Sequence, residues 1–375
     1  SGNYLFYGFD LFYDLYLDQI DNCGAQYDEN EIPELIIRHN LHGIDLDDRA
    51  IQLAQLGLYI KAKRKNRNAK IKQFNIVSSD FFLPDYNEVK HLFQEEDKKL
   101  DAELEKIVTD LWNDLQQAYK FGSLIRLEEK FNTQVKRLEE RYSKYQLDFL
   151  KDDETEKYRN FRQSFFGSLK KVIAQNTAKQ GVNFLNSKTH DAITFLQLLT
   201  QKYDVAVANP PYTDSADFGP ELKKFVEANY KQPHKFNTNL YATFIKRCCE
   251  LIDDKGKVAL VHPPTFMYIK TFKDVRKYMI EKMHISLFVE WGYLGMFNPT
   301  ARVDSAMYIL EKEKKEIYTH FIKLNDLYEG KRYQALFDAY DDLLENRPNQ
   351  HNYILDQSKL KIIEGWPFIY WISDG

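Results

Sequence analysis

Short apolar runs at 203–208, 257–262, 285–290 and 303–311 alternate with longer stretches, 240–252 and 272–283, whose apolar residues recur at helical spacing. Runs this short, bounded by turn residues, are strands, and alternation with helices predicts a mainly parallel sheet covered by helices. In such α/β sheets the functional edge lies at the carboxyl ends of the strands. The final run, 303–311, follows 285–290 through a loop containing Gly292, Gly295 and Pro299, and is expected to be the one antiparallel strand. Upstream, 41–46 and 71–77 are two further strands, and 4–20, 31–38 and 48–65 are helices, the last capped by Asp47 or Asp48. The Asp253-Asp254-Lys255-Gly256 segment reads as a helix-ending turn with Gly256 in the left-handed position.

Residues 87–180 have another character: dense in Glu, Lys, Asp and Arg, almost free of Pro, with Leu, Ile and Phe at three- and four-residue spacing. This predicts long amphipathic helices inserted in the α/β fold, with Leu111, Trp112, Leu115, Tyr119 and Phe121 to bury. The expected organisation is 1–86, 87–200 (helical insertion), 201–314 and 315–375, the last less regular and appended. A net charge of −4 argues neither for nor against nucleic acid, so a basic face would have to be local. Cys23, Cys248 and Cys249 show no CxxC pair, and the histidines show no ligand spacing, which points to a reduced, cytoplasmic protein without a disulfide framework or metal site. No apolar stretch approaches the length of a membrane span.

The chemistry concentrates at strand ends. Asn209-Pro210-Pro211-Tyr212 closes the run 203–208, read as a buried parallel strand. The Asn209 side-chain oxygen and the Pro210 carbonyl can accept both protons of an amine, which aims the nitrogen lone pair outward, while Tyr212 can stack on a flat ring. As a plain turn, Asn-Pro is a common breaker, but the full tetrapeptide after a strand is far rarer. Asp45, ending its strand, can accept from a ribose diol, because Asp47 and Asp48 already serve as caps. Asp80, followed by Phe81, can accept from an adenine amine while the ring packs on the base; the alternative is a loop carboxylate beside core phenylalanines. Gly2, before the first helix, permits close backbone approach of a ligand, although a lone glycine there also suits an ordinary turn. Phe297, in the loop before the last strand, offers either a second ring opposite Tyr212 or an anchor for its loop.

Taken in order, Gly2, Asp45, Asp80 and then Asn209 to Tyr212 resemble the gamma class of S-adenosylmethionine-dependent DNA adenine-N6 methyltransferases. The segments Asn239-Leu240-Tyr241-Ala242-Thr243-Phe244-Ile245, Gly256-Lys257-Val258-Ala259-Leu260-Val261 and Leu294-Gly295-Met296-Phe297 resemble the later motifs of that class. The insertion, Asn40 to Asp45, and Trp366-Pro367-Phe368-Ile369-Tyr370-Trp371 narrow the resemblance to the PglX-type enzymes of BREX bacteriophage-defence systems, relatives of fused restriction–methylation enzymes. The resemblance spans roughly 1–85 and 185–312. It implies a Rossmann-like methyltransferase sheet with S-adenosylmethionine held by Gly2, Asp45, Leu46, Asp80 and Phe81. It also implies catalysis by Asn209, Pro210, Pro211 and Tyr212 on an adenine flipped from double-stranded DNA and stacked between Tyr212 and Phe297. Ser1-Gly2-Asn3 resembles the tail of the family's first motif, so the chain is expected to be a fragment, stopping about where the family's target-recognition region begins. Partners implied are DNA and other defence proteins, with no membrane. The same tetrapeptide also serves enzymes that methylate release-factor glutamine or ribosomal RNA, and a non-catalytic docking subunit is a further alternative.

Overall fold

The computed structural model describes residues 2–81, 83, 85–90, 102–145, 167, 183–293, 296, 302–314 and 317–371. The chain divides into two compact units, Ser1–Gln201 and Lys202–Gly375.

In the first unit, helix α1 (Asn3–Cys23) buries Phe9 and Tyr13, one turn apart, and ends at Gly24, whose φ of 71° is a left-handed conformation that glycine adopts without strain. A one-turn helix, Ile32–Leu35, runs into a π turn, Ile36–Asn40, and then β1 (His42–Asp45). The Asp47 carboxylate accepts the Arg49 N–H and starts α2 (Asp48–Lys65), whose last turn carries Lys63, Arg64 and Lys65, suiting the helix dipole. Strand β2 (Asn75–Ser78) is shorter than the expected 71–77, because β1 offers four residues to pair with, His42↔Asn75 through Asp45↔Ser78, in parallel. Phe9, Ile32, Ile36, Leu58 and Ala62 are fully buried in the core between these helices.

The charged stretch supplies α3 (Ala102–Gln116), α4 (Leu127–Tyr145) and, after it, α5 (Asn183–Thr200). Helix α3 buries Leu104, Ile107, Val108, Leu111, Trp112 and Leu115, all on one face at three- and four-residue spacing. Tyr119, expected among them, is half exposed: it lies in the next one-turn helix, Ala118–Phe121, which buries Ala118 and Phe121 and turns Tyr119 outward.

The second unit contains β3 (Tyr203–Ala208), α6 (Pro220–Tyr230), α7 (Leu240–Leu251), β4 (Ile252–His262), α8 (Lys273–Lys282), β5 (His284–Tyr293), β6 (Asp304–Glu311), β7 (Tyr318–Lys323), α9 (Glu329–Leu344) and β8 (Asn352–Asp356). The sheet order is β3-β4-β6-β5-β7-β8. Strands β3, β4, β5 and β7 run in one direction, while β6 and β8 run in reverse. This is the Rossmann-like α/β arrangement expected, with β6 returning between β4 and β5. The segment past 315, expected to be less regular, instead carries β7, α9 and β8 and extends the same sheet by two strands.

Two further readings are corrected. The run 203–208 forms a parallel strand, but β3 stands at the end of the sheet order and leaves Val205 58% and Val207 46% exposed. An edge strand has a neighbour on one side only, so apolar composition does not guarantee burial. The turn at 253–256 belongs to β4: Tyr203 pairs with Ile252 and Val205 with Lys257, so the residues between bulge from the ladder. Gly256 is not left-handed. It is needed for closeness, since a Cβ there would lie 2.6 Å from Ile252 Cβ and 2.9 Å from the Tyr203 carbonyl oxygen. Gly256→Ala is therefore expected to cost about 1–3 kcal/mol through overpacking, read as a lower denaturant midpoint at unchanged slope.

Candidate functional site

The β3–β4 ladder ends at Ala208↔Leu260, and the next residues cannot prolong it. Pro210 and Pro211 have no backbone N–H and a fixed φ, so the chain must leave the sheet at its carboxyl edge. Asn209 is exposed, Pro210 buried, Pro211 exposed and Tyr212 half-buried. The Tyr212 hydroxyl donates to Asn209 Oδ1 at 2.7 Å. That oxygen has two lone pairs, so one acceptor position is held by the tyrosine and a second remains for an incoming N–H. The loop is tied back downstream: Leu240 N–H donates to the Thr213 carbonyl (2.9 Å), and Asp214 forms an isolated bridge with Asn239. Phe297, the expected second ring, lies outside the described residues.

At the end of β4, His262 is fully buried and stacks on Tyr241, centroids 4.3 Å apart at 11°. Its Nδ1 lies 2.9 Å from the Pro263 carbonyl, which can only accept, so Nδ1 carries the proton and Nε2 accepts the Tyr308 hydroxyl at 2.6 Å. Burial pushes its pKa down to about 4. Buried Arg276, on α8, donates to the carbonyls of Phe266 (2.6 Å), Ile269 (2.8 Å) and Gly365 (2.7 Å), binding the loop after β4 to the C-terminal segment. That segment returns over the sheet, with Phe368 N–H on the Met267 carbonyl and Tyr370 stacked on Phe321.

Sequence reasoning missed Glu290, near the carboxyl end of β5. It is buried, accepts the Tyr370 hydroxyl at 2.6 Å and Asn325 Nδ2 at 2.9 Å, and burial raises its pKa. A carboxylate closing an apolar strand was the available signal. Cys248 and Cys249 are buried on α7, and burial pushes the Cys248 thiol up to about 12, so both are packing groups rather than nucleophiles.

In the first unit the parallel ends of β1 and β2 bring Asp45 and Asp80 to one edge, both exposed. Asp45 Oδ1 accepts the Asp47 N–H at 3.0 Å, and the Asp45 carbonyl accepts the Ser79 N–H, also at 3.0 Å. Leu46 is half exposed beside them. Phe81 is not free to cover a flat ligand here: it is buried, edge-on to Phe195 of α5 at 5.1 Å. Gly2 adopts φ 80°, and a Cβ would come within 2.9 Å of Ala54 Cβ, so its closest approach is to α2. Sequence reasoning also missed Ser79 and Gly122. The Ser79 hydroxyl is buried without a partner among the described residues, and Gly122 (φ 51°) packs so closely that a Cβ would sit 3.1 Å from Leu46 Cδ2 and 3.6 Å from Ser79 Oγ. Two carboxylates, an apolar wall and an unsatisfied hydroxyl at one strand edge suit a ligand bearing a diol, an amine and a flat ring.

Among the described residues no three His, Cys, Asp or Glu side chains cluster as a metal site, and no helix is long and apolar enough to cross a membrane.

His262 generates a pH prediction. An unfolded histidine protonates near pH 6.5, whereas the folded one resists until about 4. The unfolded state therefore binds more protons in that window, and stability falls as pH drops through it, by on the order of 3 kcal/mol. Urea unfolding from pH 7 to 4.5 should show this slope, and His262→Asn should flatten it. An unchanged slope in the variant would assign it to another group.

The sequence profile of the Eco57I restriction-modification methylase family matches residues 39–297. The chain is 23% identical over 392 residues to the adenine-specific methyltransferase PglX of Lacticaseibacillus casei (strain Zhang), covering 100% of this chain and 28% of that protein. It is 24% identical over 361 residues to the adenine-specific methyltransferase BrxX of Escherichia coli O9:H4 (strain HS), covering 92% and 27%. The chain thus spans about a quarter of the length of the curated relatives it matches. Among solved structures, a nuclease-deletion mutant of the Type ISP restriction-modification enzyme LlaGI, in complex with a DNA substrate mimic, aligns over 96% of this chain and 24% of its own, at 13% identity and a TM-score of 0.47. With a match across 39–297, spanning β1 to the end of β5, this chain belongs to the Eco57I restriction-modification methylase family.

Proposed function

We propose that this chain carries the methyl-transfer machinery of a DNA adenine-N6 methyltransferase working in bacteriophage defence or restriction–modification. The observation that carries the reading is the Asn209–Tyr212 loop, forced out of the sheet at the carboxyl end of β3 with the Asn209 oxygen aligned by the Tyr212 hydroxyl. Family membership and the adenine-specific activities for which PglX and BrxX are named support it.

S-adenosylmethionine, when bound, supplies an electrophilic methyl group on a sulfonium. In the first unit, Asp45 would offer its second carboxylate oxygen to a ribose diol, Asp80 would accept from the adenine amine, and Leu46 with the Ser79 hydroxyl would complete the lining. Glycines 2 and 122 keep the backbone close without a side chain in the way. In the second unit, Asn209 Oδ1 and the Pro210 carbonyl accept the two protons of the target amine. Both bonds favour a pyramidal nitrogen with its lone pair directed out of the ring plane; as the new N–C bond forms the methyl–sulfur bond would break, leaving a neutral thioether, and the proton lost from the alkylated nitrogen would pass to solvent at this exposed edge. Tyr212 stacks on the flipped base, and Phe297 is assigned the opposite face. Double-stranded DNA and companion defence proteins are the partners this reading requires.

The test is labelled methyl transfer by the naturally occurring protein to DNA, RNA and release factor, with the modified nucleoside identified by mass spectrometry. Label in N6-methyladenine is expected, and label confined to protein or RNA overturns the reading. Asn209→Ala should lower kcat roughly a hundredfold or more, the scale of losing one preorganised polar contact to the reacting group. Tyr212→Phe, which keeps the ring but removes the hydroxyl that aligns Asn209, should lower kcat by less than Asn209→Ala does and leave KM for DNA near wild type, whereas Tyr212→Ala also loses about 1–3 kcal/mol of base stacking, seen first in KM for DNA. Asp45→Ala should weaken S-adenosylmethionine binding roughly tenfold or more by calorimetry, from one or two lost charge-assisted hydrogen bonds.

A further inference from the structure

The catalytic loop has a buried partner with no role in the chemistry described so far. Asn239 is 4% exposed and sits in extended backbone immediately before α7. Its side chain works in two directions. Oδ1 accepts the Tyr241 N–H at 3.0 Å, capping α7, and Nδ2 donates to the Tyr212 carbonyl at 3.4 Å. Around it, Leu240 N–H holds the Thr213 carbonyl, and Asp214 bridges to Asn239.

We propose that Asn239 is a positioning residue for the adenine-N6 transfer, its amide donor fixing the Tyr212 backbone so that the ring and the Asn209 oxygen face the base. The inference rests on the function proposed above. Tyr212 is joined to Asn209 through its hydroxyl and to α7 through its carbonyl, so a shift at the carbonyl moves both groups that hold the base. Helix α7 is a firm anchor: Tyr241 stacks on buried His262, its hydroxyl meets Thr265 Oγ1 at 2.8 Å, and Thr243 Oγ1 donates to the Phe236 carbonyl. An asparagine suits this position because it alone among good helix caps carries both an acceptor for the helix N–H and an N–H₂ donor for the loop.

The two roles separate by substitution. Asn239→Asp keeps the helix cap, since aspartate caps as well as asparagine, but replaces the donor with an oxygen that repels the Tyr212 carbonyl. Asn239→Ala removes both functions. Expected for Asn239→Asp in the naturally occurring protein is a melting temperature lowered by less than in Asn239→Ala, because the helix cap survives, with unchanged S-adenosylmethionine affinity and a kcat lowered roughly ten- to a hundredfold, the scale of a misplaced reacting group. The fluorescence of 2-aminopurine at the target position should also show weaker stacking in the bound complex than with wild type. Wild-type kcat and stacking in Asn239→Asp overturn the proposal. So does a kcat loss in Asn239→Asp that tracks a fall in melting temperature equal to that of Asn239→Ala, since that assigns a structural role. The two readings fail differently: if wild type transfers no methyl to adenine, the proposed function is wrong, whereas an inactive Asn209→Ala beside a fully active Asn239→Asp removes only this inference.

Discussion

Two consecutive prolines impose the decisive constraint on the second unit. A strand advances by exchanging N–H and C=O with its neighbour, and after Asn209 the donors run out. The chain must turn away at the sheet's carboxyl edge, and everything that gives the edge its chemistry follows from that enforced exit. Asn209 is left projecting, Tyr212 folds back onto it, and the returning chain is caught by the start of α7. The layers beneath serve the same edge. His262, Tyr241 and Tyr308 form a buried aromatic floor at the end of β4, and Arg276 gathers the backbone carbonyls of Phe266, Ile269 and Gly365 onto one guanidinium.

Burying polar groups this densely has electrostatic consequences. Glu290 carries a carboxylate in surroundings that disfavour its charge, and it is kept from isolation by the Tyr370 hydroxyl and the Asn325 amide. His262 is pressed toward its neutral form by the same desolvation. Neither group touches the Asn209 loop directly. They bind the strand ends to the loop after β4 and to the C-terminal segment, so the rigidity of the edge depends on residues far apart in sequence.

Much of this was legible from local pattern. Helix α1, the Asp47 cap of α2, the apolar face of α3 and the strand–helix alternation from 203 onward are all set by spacing and capping, which act within a few residues. The discrepancies share a non-local origin. Val205 and Val207 are apolar yet exposed because sheet order, not strand composition, decides who has neighbours. Gly256 looks like a turn glycine, but the space a Cβ would need is taken by Ile252 and by the Tyr203 carbonyl, the latter more than fifty residues back in the chain. Phe81 reads as a free ring beside a carboxylate until Phe195, from the far end of the insertion, packs against it. At the candidate site the tetrapeptide and the two strand-end carboxylates stood out by residue type. Ser79, Gly122, Asn239 and Glu290 did not, because their significance lies in what folding places beside them.

The bond between the Tyr212 hydroxyl and Asn209 Oδ1 is made between two groups of the protein itself. Both side chains have therefore surrendered much of their rotational freedom in the act of folding. Under the proposed function, an incoming base would meet groups already stilled, and less of its binding energy would go into quieting the protein. More of that energy would be left to act on the geometry of the amine itself.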